Sequence, residues 1–568
     1  MNTATEHLAP PIIATVRDTP YRGARERAYV DWTTGAGIQD SGHRFTAPPR
    51  SRLADLLAAI PPDVRTVYLV GALPGAGSAK ANGGGSLNAF LAWAMSDAGP
   101  EWMDDRDRLG GTYYHRDAPE SSVLRLRHRL AGRTLDVRPF HSWGTDGHDP
   151  DTARSGLVLL ATALRDHEHG GWFPSDVWSN AAIVLASPAV TGERLWRACI
   201  AREVAWPLLP DDLREHLHST SGQHRIETFP APAGRESLPD GMYALDGRFA
   251  YADALFGLGF GPAEVDQGSP VVAPRRAGWV KVEATVPADW QQVGLLPLKG
   301  AGRSKVWEYP AEPGRTFTTW AGTPELRVAL WPFPHRCGRC AAGWQSLQPA
   351  TFHRPVAPPC SQHGWRLVAK ERIHFQTSSA PRGQQHPMDV FATRLRIVND
   401  RLALDPDAPA GEVAARAVRH ILLDTVGLFY RGSRRRTYSA PLGSRAIPNK
   451  RPFDVVRLDT GEEVALWEVP EPMPADAMSH PEFSVQIYSR VRARMLLGWQ
   501  GNGRGVNVPT GMLTLPREQI VNVYGDALYL AADPGWPEDK RPGSLRVKEH
   551  LLGPLPWPTV GNDTRNEA

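Results

Sequence analysis

At 568 residues the chain is too long for one compact core and predicts about three or four structural units. Its 41% hydrophobic and 22% charged residues exclude a disordered or fibrous chain. A net charge of +3 excludes a uniformly basic surface, so any nucleic-acid contact must come from local arginine clusters.

The N-terminal stretch MNTATEHLAPPIIATVRD has neither a basic nor an apolar leader region, so no signal peptide is expected. No apolar run is long enough to span a membrane, and four cysteines are too few for a disulfide framework. A cytoplasmic protein without a membrane partner is expected.

Residues 1–170 have α/β texture: RAYVDWTTG and VRTVYLVGALPG predict strands, LADLLAAI and GLVLLATAL helices. Residues 171–240 form a helical connecting region with LWRACIAREV and LPDDLREHL. Residues 241–331 are β-rich, from GMYALDGRFAY through GWVKVEATV, VGLLPLK, WEYP and TFTTW. A Cys/His-rich island occupies 332–366, and two helices, MDVFATRLRIVNDRL and GEVAARAVRHILLDTVGLFY, fill 367–430. Residues 431–480 open with RGSRRRTYSAPLGSRAIPNKRP and predict a basic, turn-rich insertion. Residues 481–550 hold the helix SVQIYSRVRARMLLG and then IVNVYGDALYL, two strands folding back through a tight turn. Residues 551–568 predict a flexible tail.

Two carboxylates have chemistry in their placement. Asp246 ends a short apolar strand, and Asp526 sits at the tip of the hairpin. Each alone also reads as an acid suited to a turn. Brought together, they would supply hard oxygen ligands for Mg²⁺, as phosphoryl-transfer sites require.

The island gives Cys337-x2-Cys340, nineteen residues, then Cys360-x2-His363. Two close pairs separated by a loop is the spacing of a four-ligand structural zinc site. His335 and His353 are alternative fourth ligands, and reduced cysteines beside an incidental histidine are the other reading.

The order strand-Asp, β-rich stretch, helix, basic insertion, helix, hairpin-Asp resembles the core of family B DNA polymerases, most closely the protein-primed type of phages and linear plasmids. The first family motif is matched by Asp246, Gly247, Arg248, Phe249, Ala250 and Tyr251. The second is matched by RHILLDTVG, with Arg419 for its Lys and Gly427 for its Gly. NVYGDA aligns with the third, keeping Asp526 and placing Tyr524 where the family has another Asp. MDVFATRLRIV resembles the fingers helix, with Arg394 for its triphosphate-binding Lys, and Arg492 in IYSRVR takes the position of a family Arg.

The resemblance covers about residues 215–550. It implies an RNase H-like exonuclease domain in degenerate form, followed by a palm and fingers core with a zinc-binding insertion and a reduced thumb. Asp246 and Asp526 would hold Mg²⁺; Arg394, Arg419 and Tyr251 would bind the nucleotide. Arg225 (with Gln223 and His224), Arg492, Arg546 and Lys548 would contact nucleic acid. DNA, deoxynucleoside triphosphates and a terminal or replication protein are the implied partners, in a mobile or linear element.

Leu423 and Val426 replace the Asn and Tyr of the second motif. The exonuclease acids are reduced to Asp31, followed by Thr33, with Gly156 about where another Asp belongs; no proofreading activity is expected. RHRLAGR and RGSRRR are candidate phosphate-binding patches or solvated surface. The alternative function is a non-catalytic DNA-binding or regulatory protein on the same scaffold. A third is a zinc-containing scaffold whose acids serve turns.

Overall fold

The computed structural model describes residues 26–74, 93–94, 98–104, 123–165, 183–199, 209–221, 224–259, 263–266, 270–272, 277–299, 307–332, 337–345, 358–375, 387–402, 409–430, 435–442, 454–457, 463–470, 478–501 and 507–558. The chain divides into two compact units. Met1–Ala201, Thr393–Leu428 and Ser433–Pro474 form the first; Arg202–Ala392, Phe429–Gly432 and Ala475–Ala568 form the second. No helix among the described residues is long and apolar enough to cross a membrane.

The first unit is built on a seven-stranded mixed sheet. Its strands are β1 (Arg27–Asp31), β2 (Ala36–Gln39), β3 (Arg44–Thr46), β4 (Thr66–Val70), β5 (Trp102–Asp104), β6 (Leu124–His128) and β7 (Thr134–Pro139). The order is β3-β2-β1-β4-β7-β6-β5, with β4 parallel to β1 and β7 and the other pairs antiparallel. All five β4 side chains are buried, as suits a strand covered on both faces. Val30, Val67, Leu69, Leu126 and Val137 pack with Leu53 and Leu56 of the helix Leu53–Ala59 on one face. On the other, Tyr29 stacks on Tyr68 at 5.5 Å and Phe140 meets both edge-on.

Two glycines set helix spacing in this unit. A Cβ at Gly156, in helix Pro150–Arg165, would lie 2.3 Å from Val413 Cγ1 of helix Pro409–Phe429. One at Gly192 would lie 1.8 Å from Thr425 Oγ1. The basic insertion departs from expectation: Arg435–Pro441 is a strand, paired with Glu463–Pro470, which also pairs Asp454–Arg457. The threonine and tyrosine of RRTYSAP are residue types that favour strands.

Among the described residues, the two larger sheets of the second unit are antiparallel. One orders Leu545–Leu551, Met242–Gly247, Ala527–Leu530, Ile520–Tyr524 and Ile226–Thr228. The other orders Ala263–Asp266, Arg366–Phe375, Gly278–Thr285 and Thr316–Gly322. The β-rich stretch read as one palm segment is thus shared between two sheets. VGLLPLK is strand only at Leu298–Lys299. Val280, Val282 and Ala284 alternate into the large core that also holds Leu245, Leu528 and Leu530. Trp279 points the other way, packing with Val485 and Leu217.

Helix Pro481–Leu496 is buried on nearly all sides, polar Ser484, Gln486, Ser489 and Arg492 included. It packs against Thr323–Leu330, a helix the sequence reading did not foresee. The Arg492 guanidinium donates to Glu325 Oε1 and Oε2 at 2.7 and 3.0 Å, both residues being buried. Glu325 also accepts from the Gly322 amide at the start of its own helix, which explains why an acid can be buried there. The segment expected as the start of a loose tail is folded through residue 558: Leu555–Pro556 pairs with Ser237–Leu238. Trp557 is buried and donates from Nε1 to Phe229 O at 2.8 Å. An indole that finds an acceptor can afford burial.

Candidate functional site

The sheet brings the two acid-bearing segments onto adjoining strands. Asp246 is the register partner of Ala527 on one side and of Arg546 on the other. One step further, the Gly247 amide donates to Asp526 O at 2.9 Å. Gly247 has no side chain to intervene: a Cβ built there would sit 3.4 Å from Asp526 Cβ. Asp526 follows Gly525, whose φ of 65° makes the turn that a larger residue would strain.

Asp246 stands on the last rung of the ladder, opposite Ala527, and Asp526 lies in the turn just beyond it. Asp246, 4% exposed, shares its face with Ala527, Tyr524 and Tyr529. Burial, with Asp246, Tyr524 and Glu549 nearby, pushes the Tyr529 hydroxyl above its ordinary pKa. Asp526 lines a small pocket with Gly247, Ala250, Asp253, Arg490 and Arg494. Arg494 is paired there with Asp253 at 2.8 Å, and Arg490 caps the carbonyls of Ala254, Phe256 and Gly257. The adjacent strand ends can offer one carboxylate each to a hard cation near Gly247, where the ladder ends.

Tyr251 stands one helical turn beyond, in Ala250–Leu255, and is 5% exposed. Its hydroxyl lies 2.6 Å from His224 Nδ1, and the His224 ring meets Tyr488 edge-on at 4.7 Å. Burial, then Arg492, holds His224 down at about 4, so its ring is neutral at pH 7. A nucleotide would reach the Tyr251 ring only after His224 moved. Tyr524, where the resemblance expects a carboxylate, is 44% exposed at the hairpin tip.

The basic residues separate into two groups. Arg225 is fully buried: it donates to Glu227 Oε2 at 2.8 Å and to Gly294 O at 2.8 Å, and its guanidinium lies 4.1 Å from the Tyr309 ring centroid. Arg492 is consumed by Glu325. Neither presents a cation to phosphate, which corrects their reading as nucleic-acid contacts. The cause is a carboxylate within reach of each: Glu227, two residues on from Arg225, and Glu325 on the helix packed against that of Arg492. Arg546 is half-buried opposite Asp246, and Lys548 is exposed. Arg394 and Arg419 belong to the first unit; Arg394 is 8% exposed, and Arg419 is half-buried beside His420. Gln223, His335 and His353 lie outside the described residues.

Two further residues of the first unit bear on the expected exonuclease acids. Asp31 accepts from the amide of Thr33 and the hydroxyl of Thr34, each at 2.7 Å, and so caps its own turn. Gly156 is the packing glycine described above, and any side chain there would collide with Val413.

Cys337, Cys340, Cys360 and His363 converge, their ligand atoms all within 4.8 Å of one another. Cys337 Sγ is 3.9 Å from Cys360 Sγ, and His363 Nδ1 is 3.8 Å from Cys340 Sγ and 3.6 Å from Cys360 Sγ. A tetrahedron with Zn–S of about 2.3 Å and Zn–N of about 2.0 Å has edges of roughly 3.5–3.8 Å, so this donor set fits zinc. Cys337 opens the helix Gly338–Gln345, and the amides of Cys340 and Arg339 hold its thiol below the ordinary value. Burial, then the neighbouring thiols, pushes Cys340 up. Cys340 and Cys360 lie in the large core of the unit. Four protein ligands leave no open position, so a zinc ion here would be structural.

No protein-family model matches the sequence, and no curated protein matches it. The fold is similar to solved structures of Phi29 DNA polymerase. An orthorhombic crystal form gives a TM-score of 0.49 at 10% identity, covering 92% of this chain and 84% of that one. A complex with single-stranded DNA gives 0.48 at 10% identity, with the same coverage. A ternary complex with primer-template DNA and incoming nucleotides gives 0.48 at 10% identity, covering 92% and 83%.

Proposed function

We propose that this chain is a DNA-binding protein on a polymerase-like palm, with Asp246 and Asp526 as its Mg²⁺-dependent nucleotidyl-transfer acids and without proofreading. One observation carries the reading: strands distant in sequence pair so that the Asp246 strand lies between the Asp526 hairpin and the strand bearing Arg546 and Lys548. Bound Mg²⁺ would neutralise developing charge on a transferring phosphoryl group. The chain's own part is to place two carboxylates at one strand end and to keep Arg546 and Lys548 on the flanking strand for phosphate. Arg394 and Arg419 are proposed for the triphosphate, and zinc for bracing the core around Cys340 and Cys360. DNA, deoxynucleoside triphosphates and a terminal or replication protein are the proposed partners, in a cytoplasmic mobile or linear element.

A second reading, a non-catalytic DNA-binding protein on the same scaffold, is favoured by His224 Nδ1 lying 2.6 Å from the Tyr251 hydroxyl. Primer extension with Mg²⁺ or Mn²⁺ separates the two. The first predicts incorporation by the wild type, abolished in both Asp246→Ala and Asp526→Ala. Absence of incorporation from DNA and protein primers alike, with DNA binding intact, would establish the second.

A further inference from the structure

The hairpin joining β6 to β7 carries RHRLAGR, residues 127–133, and its tip is unusual. Leu130 is 90% exposed, the most exposed of the large apolar residues described. A lone apolar residue on a surface needs no explanation, but one held at the end of a rigid cationic arm does. Arg129 is exposed; Arg127, Arg133 and Arg65 are partly so.

The arm is braced from beneath. The His128 amide donates to Arg133 O at 2.8 Å, and Gly132, with φ of 62°, returns its amide to His128 O at 3.0 Å. His128 Nδ1 accepts from the Ala131 amide at 3.0 Å, and its ring meets the buried Trp102 edge-on at 5.1 Å. The Arg133 guanidinium lies 5.0 Å from the same indole and donates to the carbonyls of Pro61 and Pro62. Leu130 is thus presented, not folded back.

Charge around the tip is mostly positive. On the outer face, Arg125 and Arg138 are matched by Asp136, and Glu101 faces His128 at 3.4 Å. Asp63 is the other acid close to Arg133; Arg65 crowds the same guanidinium. Among the described residues, Arg65, Arg127, Arg129 and Arg133 outnumber the nearby acids Glu101, Asp63 and its neighbour Glu26.

We propose that this hairpin is a second nucleic-acid contact: its arginines engage the phosphates bordering the minor groove of duplex DNA, and Leu130 enters the groove. Arginines flanking an apolar wedge is the chemistry by which proteins hold that groove, while the phosphate contacts make binding salt-dependent. The contact lies in the first unit and does not use the acid pair of the second.

The test is fluorescence anisotropy of the full chain with a 20-base-pair duplex across a salt series. In Arg127→Gln/Arg129→Gln, the slope of log affinity against log salt should fall by about two. Leu130→Ala should weaken binding about fivefold or more with the slope unchanged. Unaltered thermal melting in each variant would confirm that the exposed substitutions leave the fold intact. Wild-type affinity and slope in the double variant would overturn the proposal, as would absence of duplex binding by the wild type. So would variant-sensitive binding confined to vesicles of phosphatidylserine and phosphatidylcholine. A chain that extends primers yet ignores these substitutions would lose this contact and keep the proposed palm chemistry.

Discussion

The zinc-type corner and the acid pair are both built from a few ligating side chains in the second unit, but by opposite means. In the corner, spacing does most of the work: two residues between Cys337 and Cys340, and two between Cys360 and His363, force each pair to share a turn. Folding then only has to close one loop to bring all four atoms within 4.8 Å. In the acid pair nothing local fixes the geometry. The segments bearing Asp246 and Asp526 lie side by side because a long-range ladder pairs their strands. Local spacing specifies a closed metal site, whereas an open site depends on the whole sheet.

The largest effect that could break this contrast lies at the corner. Cys360→Ser should lose one zinc per chain and lower stability by several kcal/mol, because Cys340 and Cys360 are core residues. Zinc content by atomic emission and a denaturant melt would measure both, and an unchanged zinc content would refute a four-ligand site. Next is the buried pair between helices Pro481–Leu496 and Thr323–Leu330. Arg492→Met leaves Glu325 unpaired and should cost about 3–5 kcal/mol, much of it recovered in Arg492→Met/Glu325→Met. Equal melts for the wild type and the single variant would show the pair to be dispensable.

A smaller effect is pH-dependent. Burial pushes Asp424, in the helix read as the second polymerase motif, up to about 7 against a weaker opposing bond from the Ala189 amide. A raised carboxyl stabilises the fold fully below its unfolded value near 4, and that stabilisation is lost as pH rises through about 7. Asp424→Asn should therefore melt higher than the wild type at pH 8, by at most ~4 kcal/mol, and the gain should vanish near pH 4. A pH-independent difference would mean that packing, not ionisation, is responsible. The smallest effect sharpens the acid pair: His224→Ala removes the ring that meets the Tyr251 hydroxyl and should raise nucleotide affinity about two- to threefold. Equilibrium binding of a fluorescent triphosphate reads it.

Much of the local structure was legible. The strand ending at Asp246, the helices Pro387–Leu402, Pro409–Phe429 and Pro481–Leu496, the hairpin at Asp526 and the four-ligand spacing all follow from periodicity, turn residues or ligand chemistry. What escaped was set by partners far away in the chain. Arg225 and Arg492 carry the same side chain as exposed Arg129; distant Glu325 makes Arg492 an internal ion pair, and the distant Gly294 carbonyl holds Arg225 inside beside its near neighbour Glu227. Gly156 looked like a lost acid until Val413 showed why no side chain fits. Trp557 looked like the start of a frayed end, and the Phe229 carbonyl that holds it cannot be read from proline content. Strand pairing has the same origin, so the sequence named both acids without revealing which ladder sets their segments side by side.

The shared role of the acids is tested most directly by titrating Mn²⁺ into the zinc-loaded chain and following bound ion by electron paramagnetic resonance. The proposed site predicts a Mn²⁺ signal in the wild type that is lost in Asp246→Ala and lost equally in Asp526→Ala. A signal that survives either substitution, or a wild type that binds no Mn²⁺, would contradict it.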